Sequence, residues 1–189
     1  MAHARAQSGL APPAQLDVET VIEDDRWRTG EAVNGADIET AVLAAARALA
    51  QARPQDFHTP AAATLVLSDD ARIQILNRDF RHQDAATNVL SFPAAPGATE
   101  PGTPRYLGDV IIARQTVERE AHAHHIPLVH HTQHLAIHGL LHLLGYDHAT
   151  DAGAAIMEAI ETQVLAMLGV ADPYAAHDDI KTAMKLSTP

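Results

Sequence analysis

A chain of 189 residues is long enough for one domain that buries roughly 70% of its unfolded surface. It contains no cysteine, which excludes disulfides and thiolate metal sites and fits a reducing, cytoplasmic setting. The formal net charge of −11 argues against a uniformly basic nucleic-acid binder, and with aromatics at 4% the core must rest on Leu, Ile, Val and Ala.

No apolar run approaches the ~20 residues of a membrane span, so no membrane contact is expected. Residues 1–14 lack the continuous apolar core of a signal peptide and read as a disordered leader, an organelle transit peptide being the alternative. Residues 15–170 then form a single catalytic domain, and 171–189 a C-terminal tail with little pattern.

The segment 15–22 alternates and is rich in β-branched residues, which predicts a strand. Residues 23–35, with Gly30 and Asn34-Gly35, read as loop. Asp37 is placed to cap a helix from Ile38 to Arg53, ended by Pro54. A second strand, Ala62 to Leu67, leads to Ser68 or Asp69 as the cap of a helix carrying Ile73, Leu76 and Phe80 on one face. Residues 87–92 form a third strand, stopped by Pro93. The proline-rich stretch 93–105 reads as a loop able to lie over a site. A fourth strand covers Leu107 to Ala113, and a helix runs from Gln115 to His125, before Pro127. A histidine-rich helix spans Val129 to Leu144, and after Gly145 a last amphipathic helix covers 152–168. This order implies an α+β fold: a small mixed four-stranded sheet covered by helices, one of which carries a zincin-like three-histidine metal site.

The sharpest motif is H-x3-H-x2-G-x2-H, formed by His138, His142, Gly145 and His148. Residues four apart on a helix share one face. A glycine after the helix offers the left-handed conformation that turns the chain back. Three imidazoles can thus meet at one point and leave a fourth coordination position open, as a catalytic zinc site requires. Neutral imidazoles suit Zn2+ first, one per chain, with nickel, copper or iron able to occupy the same ligands. His134 is also four residues from His138 and ranks as a neighbour of the trio. The competing reading, a solvated face in a chain with 13 histidines, sits badly with a helix that is apolar over most of its circumference.

The spacing matches H-E-x-x-H-x-x-G-x-x-H of the metzincin proteases, except that Gly139 stands where their catalytic glutamate would be. Asp147 is the nearest carboxylate in sequence and is a candidate base, a partner orienting an imidazole, or a turn residue. Arg72, Arg78, Arg81, Arg105 and Arg114 all fall mid-chain, which leaves room for a local basic cleft on an acidic protein. Arg78 suits the C-terminus of its helix. Arg81, followed by a loop, is better placed to reach a cleft, where a planar guanidinium can clamp phosphate.

Three stretches together carry a resemblance: H-G-L-L-H-L-L-G-Y-D-H at 138–148, N-R-D-F-R-H-Q-D-A-A-T-N-V-L-S-F-P at 77–93, and L-G-D-V-I-I at 107–112. Over roughly residues 15–168 the chain resembles the YbeY family of metal-dependent endoribonucleases. The resemblance implies action on single-stranded RNA in ribosomal RNA processing (maturation of the 16S 3′ end) and in ribosome quality control. It implies zinc on His138, His142 and His148, a functional arginine at Arg81, and the small ribosomal subunit or a ribosomal protein as partner. Ala85-Ala86 departs from the Lys-Pro or similar pair that the family more often shows before the threonine, and the 93–105 loop is longer than the family minimum. Two rivals stand beside this reading: a metallopeptidase-like hydrolase on the same site, and a non-enzymatic ribosome-assembly factor with a structural metal.

Overall fold

The structure, a computed structural model, describes residues 16–29, 37–57, 59–95, 97 and 102–175. The leader expected at 1–14 lies outside them, as do 96 and 98–101 of the expected lid and the tail beyond 175. Among the described residues the strands are β1 (Leu16–Ile22), β2 (Ala61–Ser68), β3 (Val89–Pro93) and β4 (Arg105–Ala113). The helices are α1 (Arg26–Thr29), α2 (Ile38–Ala52), α3 (Asp70–Arg81), α4 (Arg114–His124), α5 (Leu128–Leu143) and α6 (Asp151–Met167). The strands form one sheet in the order β1-β2-β4-β3, parallel except for the antiparallel edge strand β3. The α+β architecture with a mixed four-stranded sheet is the one the sequence predicts.

The two sheet faces are covered unequally. On one face α2 and α5 pack on the sheet, with α6 behind them, and bury Leu49, Leu65, Ile112, Ile137, Leu140 and Leu165 in the main core. On the other face α3 covers the β3–β4 end through Ile73, against Leu90, Ile111 and Ala113. Strand β4 is therefore buried on both faces, which is why it reads as a nearly continuous apolar run. Its inward positions on the main core are Leu107, Val110 and Ile112. The step of three between the first two marks a β-bulge, where the β2–β4 register shifts between Ala62 and Thr64. Gly108 absorbs it with a φ of +130°, and a Cβ there would lie 2.1 Å from the carbonyl oxygen of Phe92.

The helix starts follow the capping chemistry. Asp37 accepts from the Thr40 N–H at 2.6 Å, and Asp69, not Ser68, accepts from the Arg72 N–H at 2.8 Å. Three expectations are corrected. The loop read at 23–35 contains the single turn α1, held because Trp27 is buried and donates its indole N–H to the Ser68 carbonyl at 2.8 Å. Phe80 does not join Ile73 on the core face: it is 64% exposed, and its ring meets Phe92 edge-on at 5.2 Å. Asn77 takes the buried position instead, donating to the Ala85 carbonyl and so tying the following loop to the helix. Finally, Pro93 and Arg105 belong to β3 and β4, so the connection between these strands is shorter at both ends than the expected 93–105 loop.

Candidate metal centre

Helix α5 lies flush against β3 and β4, and Gly139 makes this approach possible. A Cβ at Gly139 would sit 2.4 Å from Val110 Cγ1 and 3.2 Å from Ser91 Oγ. The Ser91 hydroxyl donates to the Gly139 carbonyl at 3.1 Å, joining the edge strand to the helix. One residue before and three residues after this glycine, His138 and His142 emerge on the exposed side of the contact, both half-buried. The helix then closes with the Tyr146 N–H on the Leu141 carbonyl and the Gly145 N–H on the His142 carbonyl, both at 3.0 Å, while Gly145 adopts φ +94°. The turn carries the exposed His148 back over the other two rings.

One nitrogen from each of His138, His142 and His148 falls within a set whose members all lie within 4.8 Å of one another. The Nε2 atoms of His138 and His142 are 3.1 Å apart. Corners of a tetrahedron with ~2.0–2.1 Å zinc–nitrogen arms are about 3.3 Å apart, so this pair already has the spacing of two ligands of one ion. The protons are also arranged for it. His142 Nδ1–H donates to the Tyr146 carbonyl at 3.0 Å, and His138 Nδ1 faces the Glu161 carboxylate at 2.9 Å, so both Nε2 lone pairs point into the cluster. Burial, reinforced by the neighbouring His138, lowers the pKa of His142 below its ordinary value and favours the neutral, ligating form. The three residues fit a divalent metal.

His134, the other member of the i,i+4 series, stays outside the trio. Its Nε2 donates to Glu161 at 2.8 Å and lies 3.2 Å from the Tyr174 hydroxyl. His131 is buried one turn earlier and bonds Glu120 at 2.8 Å. Burial pushes the Glu161 carboxyl up, but hydrogen bonds from His134, His138 and Tyr174 together outweigh it and hold the group at about 2. The Tyr174 hydroxyl is pushed well above the usual phenol range by burial and by the carboxylate beside it. Sequence reasoning missed Glu161 and Tyr174. For Glu161 a signal was available: it shares the apolar stripe of α6 with Met157, Ile160, Val164 and Leu165, where a carboxylate has to have partners.

The trio opens into a cleft of about 580 Å³ that is also lined by Arg81, Asn88, Ser91 and Pro93. Arg81, at the end of α3, reaches across so that Nη2 lies 3.4 Å from the Ser91 carbonyl. Asp147 lies exposed in the same cleft, and its Oδ1 accepts from the Ala149 N–H at 2.9 Å in the turn after α5. The carboxylate hydrogen-bonded to a clustered imidazole is Glu161, and Asp147 bonds within its own turn. Among the described residues the mid-chain arginines do not form a broad basic cleft. Arg114 is buried over the Trp27 ring at 5.1 Å with Glu118 beside it, and Arg78 pairs with Asp79 at 3.0 Å. Of the five mid-chain arginines, Arg81 alone lines the cleft among the described residues.

The turn carrying His148 is anchored from a distant element. Tyr146 donates its hydroxyl to Asp56 Oδ2 at 2.8 Å and accepts from the Arg53 guanidinium, which also lies 5.5 Å from its ring centre.

Residues 27–169 match the family model described as Endoribonuclease YbeY. A Rhizobium etli protein named Endoribonuclease YbeY is 48% identical over 168 residues, covering 87% of this chain and 96% of that protein. A Rhodopseudomonas palustris protein of the same name is 47% identical over 174 residues, covering 92% and 88%. A solution structure from Thermotoga maritima superposes with a TM-score of 0.51 at 19% identity, over 82% of this chain and 91% of that one, and so shares the fold. No helix among the described residues is long and apolar enough to cross a membrane.

Proposed function

The chain belongs to the endoribonuclease YbeY family, and from that premise we propose that it is a zinc-dependent endoribonuclease that cuts single-stranded RNA in the cytoplasm. Its substrate on this reading is ribosomal RNA, at the 3′ end of the small-subunit 16S species and in ribosome quality control. The small subunit or one of its proteins delivers the RNA. The observation that carries the reading is the opening of His138, His142 and His148 onto a cleft that Arg81 also lines.

When bound, the ion supplies Lewis-acid polarisation of a phosphoryl oxygen or of an attacking water. The protein's own groups do the rest. His138 and His142 are held by their Nδ1–H bonds with Nε2 free to ligate, and His148 completes the set. The Arg81 guanidinium, with its reach along the β3 edge, stabilises the charge that builds on the pentacovalent phosphorus. Asp147, exposed at the rim, is the carboxylate available to take a proton from the nucleophile, either water or the RNA 2′-hydroxyl. A peptidase reading meets a steric obstacle: the glutamate that such proteases use would have to grow from Gly139 into Val110.

The test is cleavage of a single-stranded ribosomal RNA fragment by the zinc-loaded chain, with parallel metal analysis. His142→Ala should lose bound zinc and cleavage together. Arg81→Glu should keep the zinc and lose cleavage by about 100-fold or more. Cleavage that survives zinc loss in His142→Ala sinks the proposal, as does a wild-type chain that cuts peptides and spares RNA. Product ends separate the two nucleophiles, since a 2′,3′-cyclic phosphate requires attack by the 2′-hydroxyl.

A further inference from the structure

Glu161 does not line the cleft and is fully buried on α6. A carboxylate removed from water is costly unless its lone pairs are met. Here they are divided between two histidines and a tyrosine. Oε1 accepts from His138 Nδ1 at 2.9 Å, and Oε2 accepts from His134 Nε2 at 2.8 Å and from the Tyr174 hydroxyl. An ionised carboxylate only accepts, so His138 carries its proton on Nδ1 and presents a bare Nε2 to His142 and His148.

We propose that Glu161, braced by His134 and Tyr174, is a positioning residue that locks His138 in its metal-ready tautomer and ring orientation. The inference rests on the reading that His138, His142 and His148 hold a metal. It also brings Tyr174, which lies past residue 169 where the family match ends, into the support of that site. The carboxylate is needed, rather than a polar group of the same shape, because both histidines donate to it. A glutamine at the same place offers one accepting and one donating end. Two donors, His134 and the Tyr174 hydroxyl, hold the accepting end at the Oε2 position, so the donating end turns to His138, whose switch of tautomer puts a proton on the nitrogen that should ligate.

The experiment uses the full chain as wild type, Glu161→Gln and Tyr174→Phe, first metal-free and then titrated with zinc against a chromophoric chelator near neutral pH. Nitrogen-15 spectra of the metal-free chain report the His138 tautomer, and circular dichroism reports the fold. In wild type His138 should be protonated on Nδ1. Glu161→Gln should shift His138 toward the Nε2–H form and weaken zinc binding by about 10- to 100-fold, with Tyr174→Phe changing both in the same direction by less. Variants that keep the wild-type tautomer and bind zinc within about twofold of wild type overturn the role of Glu161. Should Glu161→Gln fail to fold, Tyr174→Phe decides: unchanged His138 signals and unchanged zinc affinity overturn the proposal. A wild-type chain that takes up no zinc overturns the metal reading, and this inference with it, which separates the two failures.

Discussion

At the scale of single residues, Gly139 does two things that a sequence shows unequally. Its identity excludes a side-chain base next to His138, and that much can be read from the spacing alone. Its packing role cannot, because it depends on Val110 and Ser91, which reach it only through the fold. A glycine in a helix interior normally gains ~1 kcal/mol when replaced by alanine. Here the added methyl meets Val110, a fully buried β-branched side chain with little freedom to move. Gly139→Ala should therefore destabilise the metal-free chain by about 1–3 kcal/mol in urea denaturation, against the propensity trend. A variant as stable as wild type, or more so, means that the helix can lift off the sheet without cost. The contrast with Glu161 is instructive. The three histidines were legible because helix geometry relates i to i+4 and a glycine marks the turn. Glu161 is 23 residues from His138, and no local periodicity relates positions on two different helices.

At the scale of elements, the turn after α5 and the α4–α5 contact both depend on bonds from outside the helix. Tyr146 sits between His142 and His148, and its hydroxyl bridges Arg53 and Asp56 just beyond α2. Tyr146→Phe should cost about 1 kcal/mol in stability. It should also weaken zinc binding several-fold, by roughly the lower end of the 10–100-fold range for outer ligand supports, because His148 rides on that turn. Loss of stability with no change in zinc affinity would limit the tyrosine to packing. His131, on the buried side of α5, bonds Glu120 of α4. Burial lowers its pKa below the ordinary 6.5, and the nearby Glu120 does not reverse this. A histidine with a depressed native pKa binds its proton less readily folded than unfolded. Its stabilising contribution is thus intact above about pH 6.5 and declines as pH falls below it. The difference in unfolding free energy between wild type and His131→Gln should accordingly be flat at neutral pH and turn against wild type between about pH 6.5 and 5. A flat difference throughout would mean that Glu120 compensates the burial. Neither contact was legible in the sequence: Tyr146 meets residues about 90 positions away, and His131 meets Glu120 only because the turn between α4 and α5 brings those faces together. Phe80 failed for a related reason. The periodicity placed it on the apolar face of α3, but the core beneath that face is finished by Asn77, and the ring is left outside against Phe92.

At the scale of the whole molecule, the charge of −11 and the cleft have to be reconciled with an RNA substrate. Proteins that hold single strands by their backbones line the path with cations, and each neutralised phosphate steepens the salt dependence of binding by about 0.7 in log K per log salt. The mid-chain arginines looked able to form such a path. Arg114 is buried over Trp27 beside Glu118, Arg78 pairs with Asp79, and Arg72 and Arg105 are exposed but do not line the cleft, so Arg81 alone of the five lines it among the described residues. On the proposed function, recognition would rest on the metal and on Arg81 at the scissile phosphate, with delivery by a partner that is itself bound to RNA. The isolated chain, zinc-loaded and made non-cleaving by a non-hydrolysable RNA analogue, should bind weakly, with a log–log salt slope of about −1 to −2. Arg81→Ala should lower that slope by roughly 0.7. A slope of about −4 or steeper would reveal a cationic path elsewhere on the molecule, and the need for delivery by a partner would fall away.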